Sequence, residues 1–250
     1  MPEASPALDV RLGRAFFRWR SLAPIPVIAL VLWLSLPALW DALPEAPDGR
    51  LASLAGLVLC LAGQALRAYV RGVVPADTSA PTLRLGAGSL NTAGAYRFTR
   101  NPLYLGNLLL CAGLLLQVRR AAPLALGLGF FFVEYFFVIR AEEDFLRGRF
   151  GESYERWAAS VPRFFPRLTP APAAAPALPF DAARALRAEH NPAMAWLTAF
   201  IVLRGLRATA SAPAPGAVAA AYLAGLSGLA LAYLGVKGWK RGWWAALRSP

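Results

Sequence analysis

The stretch Leu103–Ile139, LYLGNLLLCAGLLLQVRRAAPLALGLGFFFVEYFFVI, decides the fold of this chain. It contains two apolar runs, Leu103–Val118 and Ala122–Ile139, separated by little more than a pair of arginines. A bilayer core about 30 Å thick needs roughly 20 apolar residues as a helix, and each run approaches that length. The short connection therefore predicts a tight antiparallel hairpin of two membrane-spanning helices, with Pro123 in the first turn of the second.

The composition of the whole chain also favours a membrane protein. Of its 250 residues 57% are hydrophobic and only 16% are charged, whereas a soluble domain has about 25% charged residues. The formal net charge is +12, and it comes mostly from arginines that lie between the apolar runs. This placement follows the positive-inside rule better than it follows a nucleic-acid-binding surface. We therefore expect membrane lipids as partners and no nucleic acid.

Four more apolar runs join the hairpin, so the fold class that we predict is all-α. The chain is expected to form a polytopic transmembrane bundle of about six spans, with an amphipathic cytoplasmic helix after the fourth. Loop arginines concentrate on one side of this arrangement, which predicts that both termini lie in the cytoplasm. The Ala/Arg-rich composition favours a bacterial chain, so we expect an integral protein of a bacterial inner membrane. The four further runs are Leu22–Leu39, Leu51–Val70, Pro192–Leu206 and Gly216–Val236.

The Pro/Ala-rich segment LTPAPAAAPALPF, Leu168–Phe180, divides the chain. A segment of this composition is typical of a linker. We expect residues 1–168 to form a core of four spans with its cytoplasmic motifs, residues 169–191 to form a linker, and residues 192–250 to form an appended pair of transmembrane helices.

Polar side chains inside the predicted spans are candidates for function, because burying a charge in a membrane is costly. Arg67 and Arg71 lie four residues apart near the end of the second span, and Glu134 lies within the fourth. The arginines either extend to lipid headgroups or serve a site. Glu134 either pairs with an arginine of a neighbouring helix or takes part in chemistry.

Two sequence blocks flank the hairpin. The first, NTAGAYRFTRNPLYLGN at Asn91–Asn107, suits a helix start with Asn101 as the cap and Pro102 in the first turn. The second, EEDFLRGRFGESYERW at Glu142–Trp157, has the spacing of an amphipathic helix on the membrane surface. Helix capping leaves the tyrosines and arginines of the first block unexplained.

Together with VPRFFP at Val161–Pro166, these blocks resemble the isoprenylcysteine carboxyl methyltransferase and phospholipid methyltransferase superfamily. Its members are integral membrane enzymes that use S-adenosyl-L-methionine. The resemblance covers about residues 50–168. Asn101 stands where many members have histidine, so it can form hydrogen bonds but cannot titrate.

The resemblance also implies site residues. An arginine just upstream of the glutamate pair helps hold a substrate carboxylate, and Arg140 is the candidate here. Apart from the resemblance, an amine acceptor would have to lose a proton, and Glu134, Glu142 and Glu143 are the candidate bases. Arg100 adds a cation for the cofactor's carboxylate. The predicted cofactor-binding residues are Gly88, Ser89, Leu90, Asn91, Tyr96, Arg100, Asn101, Pro102, Leu103, Tyr104 and Glu142.

The function that the resemblance implies is S-adenosylmethionine-dependent O-methylation of a lipid-like or prenylated substrate that enters from the bilayer. Two alternatives stay open: a phospholipid or small-amine N-methyltransferase, and a catalytically silent membrane scaffold. We expect no metal, because His190 is the only histidine and has no ligand cluster in the sequence around it. The oligomeric state is left open.

Overall fold

The structure, a computed structural model, describes residues 8–19, 22–40, 47–75, 89–172 and 176–241. Over these ranges the chain is helical and contains no strand. A short 3-10 helix, Gly94–Arg97, precedes the predicted hairpin. The α-helices are α1 (Leu8–Trp19), α2 (Pro24–Trp40), α3 (Pro47–Val73), α4 (Pro102–Leu115), α5 (Ala121–Phe150), α6 (Glu152–Ser160), α7 (Ala182–Ala210) and α8 (Pro215–Lys240).

Each of the six predicted apolar runs lies mostly within one helix, and the predicted fold class, a polytopic helical bundle, is confirmed. In the described part of the chain, four helices are long and apolar enough to cross a membrane: α3, α5, α7 and α8. A fifth span is possible if the bent pair of α1 and α2 counts as one. Helix α4 is apolar but has only 14 residues, so it is shorter than a full span of the predicted hairpin.

Helix α5 continues well past the predicted end of its span at Ile139. It runs to Phe150 and stops at Gly151, whose φ of 50° lies in the left-handed region that glycine adopts readily. Helix α6 follows at once and buries Tyr154 and Trp157 against Val161. The region predicted as one amphipathic helix therefore consists of the end of α5 and a second short helix.

Helices α3 and α4 pack backbone to backbone. A methyl group on Gly63 would lie 2.6 Å from the carbonyl oxygen of Gly106, and one on Gly113 would lie 2.5 Å from the carbonyl oxygen of Gly56. Small residues at such positions let membrane helices approach closely, and dispersion contacts then hold them together. This contact places the end of α3 beside the start of α4, where the first sequence block lies.

The structure corrects the predicted start of the fifth span. Helix α7 begins at Ala182, where the side chain of Asp181 accepts a 2.9 Å hydrogen bond from the backbone N–H of Arg184. Pro192, the predicted first residue, lies inside the helix. The predicted linker over 169–191 therefore extends too far, because its last residues belong to α7. The division into a core and an appended helix pair stays a prediction.

The contact between α3 and α4 predicts an asymmetric response to alanine. Gly63→Ala should lower the stability by about 1–3 kcal/mol, because the new methyl group overlaps a backbone oxygen that has no room to move. The matched control is Gly129→Ala on the exposed face of α5, where an added methyl group meets nothing within 4 Å. That change should be neutral or stabilising, since alanine is the better helix former. Melting temperatures in detergent compare the two, and equal shifts would contradict this packing.

Candidate functional site

The first sequence block is held by a return segment, residues 161–171, that runs beside it after α6. The backbone N–H of Arg100 donates to the carbonyl of Pro162 over 2.9 Å, and that of Arg167 donates to Phe98 over 2.9 Å. The N–H of Ala171 donates to Arg97 over 2.9 Å. These bonds satisfy backbone groups that neither helix nor sheet satisfies. They fix the block against the chain that follows α6.

Asn101 occupies the N-cap position of α4, as predicted, but its side chain makes no capping hydrogen bond. Its Nδ2 instead donates to the backbone carbonyl of Arg163 over 2.7 Å. Thr99 acts in the same way, since its hydroxyl donates to the carbonyl of Phe164 over 2.7 Å. The predicted capping role of the Asn101 side chain is therefore wrong, because the return segment offers it a carbonyl.

Glu143 lies in a closed ion-pair cluster. It is 3% exposed, and Arg163 binds it through two nitrogens, at 3.0 and 2.7 Å. Arg100 approaches its Oε1 to 3.0 Å and also donates to the Tyr154 hydroxyl over 3.3 Å. Two guanidinium groups stabilise the charged form of a buried carboxylate. Glu143 thus joins α5 to both the first block and the return segment.

Glu142 has a different environment from its neighbour. The hydroxyl of Tyr104 donates to its Oε1 over 2.5 Å, and both side chains are only half-buried. The Tyr104 ring packs on Tyr135 with 4.5 Å between the ring centroids. The hydrogen bond to Glu142 brings the Asn-Pro start of α4 together with the glutamate pair of α5.

Tyr96 completes the same neighbourhood. It packs against the cluster around Tyr154 on one side and against valines at the end of α3 on the other. Burial raises the pKa of its phenol to about 12, and the charge of Glu142 adds to that shift while Arg71 opposes it. Tyr96, Arg71 and Glu142 therefore lie close enough to influence one another's charge.

Arg140 does not join this group. It forms an ion pair with Asp9 of α1, with distances of 2.6 and 2.7 Å to Oδ2. This pair fastens α1 to α5, as does the 3.1 Å pair between Arg14 and Asp144. The substrate-holding role predicted for Arg140 stays a prediction, and so does the role of Glu143 as a base.

The remaining predicted site residues are dispersed around the group. Leu90 packs against the cluster of α6, and Leu103 packs against the valines at the end of α3. Ser89 is exposed, Asn91 is half-buried and Pro102 is buried. Gly88 lies outside the described residues. The structure brings together Tyr96, Arg100, Asn101, Tyr104, Glu142 and Glu143.

A buried polar network behind this group was not predicted from the sequence. Glu189 of α7 receives two hydrogen bonds from Arg67, at 2.8 and 2.9 Å, and pairs with Arg71 at 3.5 Å. Arg67 also donates to the side-chain oxygen of Asn107. Asn107 in turn donates to the Tyr135 hydroxyl over 2.7 Å. The arginines were candidates, but Glu189 was missed because it fell in the predicted linker.

Glu134 lies in the middle of α5 and is 6% exposed. Within the part of the chain that the structure describes, its Oε1 has no hydrogen-bond partner. One of the two predicted roles of Glu134 was an ion pair with an arginine of a neighbouring helix. The described residues form no such pair. The described ranges likewise contain no group of three His, Cys, Asp or Glu side chains placed to hold a metal ion.

Comparison with known proteins agrees with this geometry. Residues 51–153 match the family model described as phospholipid methyltransferase. These residues belong to the isoprenylcysteine carboxyl methyltransferase and phospholipid methyltransferase superfamily. The matched range runs from α3 through both halves of the hairpin to α6, so it includes Tyr96, Tyr104 and Glu142. The superfamily resemblance predicted from the two blocks is confirmed over residues 51–153, and this match supports a membrane methyltransferase.

The chain is also similar to the cobalt-zinc-cadmium resistance protein CzcN of Cupriavidus metallidurans. It is 40% identical over 81 residues, which make up 32% of this chain and 37% of that protein. The chain therefore aligns with little more than a third of this relative's length. No solved structure matches the chain.

The ion-pair cluster predicts that Glu143→Gln is strongly destabilising. The change leaves two arginines facing a neutral amide in a largely buried position, which costs about 3–5 kcal/mol for a fully buried pair and less here, because Arg163 is partly exposed. The matched control is Glu155→Gln, which removes an exposed pair with Arg147 and should cost at most about 1 kcal/mol. Melting temperatures of both variants decide, and a control as unstable as Glu143→Gln would contradict the cluster's role.

The environment of Tyr96 predicts a specific loss of stability at high pH. Its folded pKa, about 12, lies above the usual value of 10.0. Its contribution to stability is therefore complete below about pH 10 and is lost as the pH rises through about 12. Between about pH 10 and pH 12, the free energy of unfolding of Tyr96→Phe should therefore fall by about 1–3 kcal/mol less than that of the wild type. Melting temperatures measured against pH test this, and parallel curves would contradict it.

Proposed function

We propose that this chain is an S-adenosylmethionine-dependent methyltransferase that acts on a lipid-like substrate. The observation that carries the proposal is the hydrogen bond between Tyr104 and Glu142, which unites the two superfamily blocks in one half-buried polar group. The proposed cofactor-binding residues are those predicted from the sequence, with Tyr96, Asn101, Tyr104 and Glu142 at the centre.

The chemistry of these side chains suits such a cofactor. Glu142 offers a carboxylate to a positively charged ligand, and the rings of Tyr96 and Tyr104 offer faces that attract cations by about 0.5–2 kcal/mol. These three side chains are half-buried and so keep surface for a ligand, whereas Glu143 is sealed by arginines. This contrast supports Glu142 as the contact residue and Glu143 as the support of the site.

When bound, S-adenosylmethionine supplies an electrophilic methyl group on a positively charged sulfur. The task of this chain is to align the acceptor with that group and to exclude water, since an in-line displacement depends on alignment. Attack by a carboxylate neutralises both reactants, which an apolar surrounding favours. An acceptor carboxylate needs a cation to hold it, and Arg71 beside Tyr96 is better placed for this than Arg140, which pairs with Asp9.

The acceptor is proposed to enter sideways from the bilayer, because α3, α4 and α5 meet at the site, and α3 and α5 expose apolar faces elsewhere. The proposed location is a bacterial inner membrane with both termini in the cytoplasm, as the distribution of arginines supports. The cofactor would then reach the site from the cytoplasm. A lipid-like or prenylated molecule fits this route.

Glu134 favours a second candidate, N-methylation of a phospholipid or small amine. An amine must lose a proton before it attacks, so it needs a base, and a buried carboxyl without a hydrogen-bond partner on one oxygen is available for that purpose. Glu134 lies two turns of α5 before Glu142, about 12 Å along the helix. This distance suits a base that meets the acceptor from the membrane side.

Binding of S-adenosylhomocysteine tests the cofactor site directly. At 100 times its dissociation constant the ligand should stabilise the wild type by about 2.7 kcal/mol and raise its melting temperature. Tyr104→Phe removes the donor of the hydrogen bond and Glu142→Gln removes the negative charge, so each change should abolish most of that shift. Glu152→Gln, on the exposed start of α6, should leave it unchanged. Absence of any shift in the wild type would favour a catalytically silent scaffold instead.

The methylated product separates the two chemistries. Transfer of a labelled methyl group to a lipid extract should yield a base-labile ester if the acceptor is a carboxylate. A base-stable product that depends on Glu134, lost in Glu134→Gln, would instead establish N-methylation. Glu134→Gln should leave ester formation unaffected, because a carboxylate acceptor needs no base.

A further inference from the structure

From the buried network we infer that Glu189 of α7 is a positioning residue of the methyl-transfer site. It holds Arg67 and Arg71 of α3, and through Arg67 it sets the placement of Tyr104. This inference rests on the proposed function, and it goes further by assigning a role to a helix outside the matched residues 51–153. Helix α7 would then be part of the enzyme's working unit.

The carboxylate of Glu189 is saturated by donors from α3. Besides the two bonds from Arg67, it accepts a 3.1 Å hydrogen bond from Nε2 of Gln64 and pairs with Arg71. The side chains of Glu189 and Arg67 are only 4% and 9% exposed. A two-point contact between guanidinium and carboxylate fixes direction as well as distance. Glu189 therefore determines where both arginines point.

The two arginines need such a partner. They lie four residues apart on one face of α3, where like charges repel. Both are largely buried, with 9% and 18% of their side chains exposed. Without the carboxylate, each guanidinium would gain by turning toward water. Loss of Glu189 would therefore move the arginines as well as weaken the fold.

Two routes connect this ion pair to the site. Along the first, Arg67 donates to Asn107, which donates to Tyr135, whose ring packs on Tyr104 beside Glu142. Along the second, the charge of Arg71 acts on the phenol of Tyr96. The two tyrosines proposed to contact the cofactor are thus each linked to Glu189 through one of its arginines.

The start of α7 is anchored so that Glu189 arrives in register. The backbone N–H of Asp181 donates to the carbonyl of Gly72 over 3.0 Å, and the ring of Phe180 packs directly on Gly72. Arg184 donates to the carbonyls of Gly72 and Val74 over 2.9 and 3.1 Å. These bonds cap the end of α3 and tie it to the first turns of α7. Glu189 follows one turn after Ala185, and both are on the buried face of α7.

The test is Glu189→Gln in the full chain in detergent, with the dissociation constant for S-adenosylhomocysteine as the readout. We expect binding to weaken about tenfold or more, the effect typical of residues that orient a binding group. The matched control is Tyr233→Phe, which removes a 2.9 Å hydrogen bond from α8 to Asn191 of α7, the helix that carries Glu189. The control should lower the melting temperature and leave the dissociation constant unchanged. Unchanged binding in Glu189→Gln would overturn the inference.

A triple variant separates positioning from stability. Arg67→Met/Arg71→Met/Glu189→Leu replaces Glu189 and both of its arginine partners by apolar side chains, an exchange that is often neutral or stabilising for buried ion pairs. We expect it to recover the melting temperature lost in Glu189→Gln without recovering the affinity for S-adenosylhomocysteine. Recovery of both would show that the ion pairs serve stability alone and would overturn the inference.

A readout without ligand keeps this inference distinct from the proposed function. Glu189→Gln removes the negative charge that offsets Arg71, so the apparent pKa of Tyr96 should shift downward. The phenolate signal of Tyr96 is obtained as the difference between each protein and its Tyr96→Phe counterpart. An unchanged titration would overturn the inference. If the wild type fails to bind S-adenosylhomocysteine, the proposed function fails, and the titration still decides whether Glu189 positions Arg71.

Discussion

The structure depends on the pairing of carboxylates that are buried in an apolar helical bundle. A buried charge is tolerated only when it is paired and hydrogen-bonded. Glu143 and Glu189 meet this requirement with arginines from other segments, and each pairing draws those segments to one place. Glu143 closes the first block onto the return segment, and Glu189 closes α7 onto α3. The half-buried group around Glu142 lies between these two closures.

The glycine contact between α3 and α4 makes this arrangement possible. With no side chains between the two backbones at Gly63 and Gly106, the arginine at position 67 reaches across α4 to Asn107. Polar side chains can then run from one helix to the next inside a bundle whose outer surface is apolar. Such a polar interior is stabilising only when every member finds a partner. The charged side chains of Arg67, Arg71 and Glu189 all have ionic partners, and Glu142 and Tyr104 keep accessible surface.

The adjacent glutamates show how one helix divides two tasks. Positions 142 and 143 of α5 point about 100° apart, as consecutive helical residues do. Glu143 therefore enters the ion-pair cluster and Glu142 meets Tyr104. Glu143, which supports the site, and Glu142, the proposed contact residue, therefore lie on the same turn of α5. A rigid helix carries such a pair with less positional freedom than a loop would.

The sequence by itself determined the membrane class, the helical fold, the positions of the apolar runs and the superfamily, because hydrophobic length and the two motif blocks are local properties. It also identified Tyr96, Tyr104 and Glu142 as one group. Only the tertiary structure decided which charges pair. Arg140 pairs with Asp9, Glu143 is buried between Arg100 and Arg163, and Glu189 pairs with Arg67. An ion pair between residues 122 positions apart has no local pattern in the sequence. The start of α7 was predicted at Pro192 because proline is common in the first turn of a helix, but a membrane helix also tolerates proline in its interior.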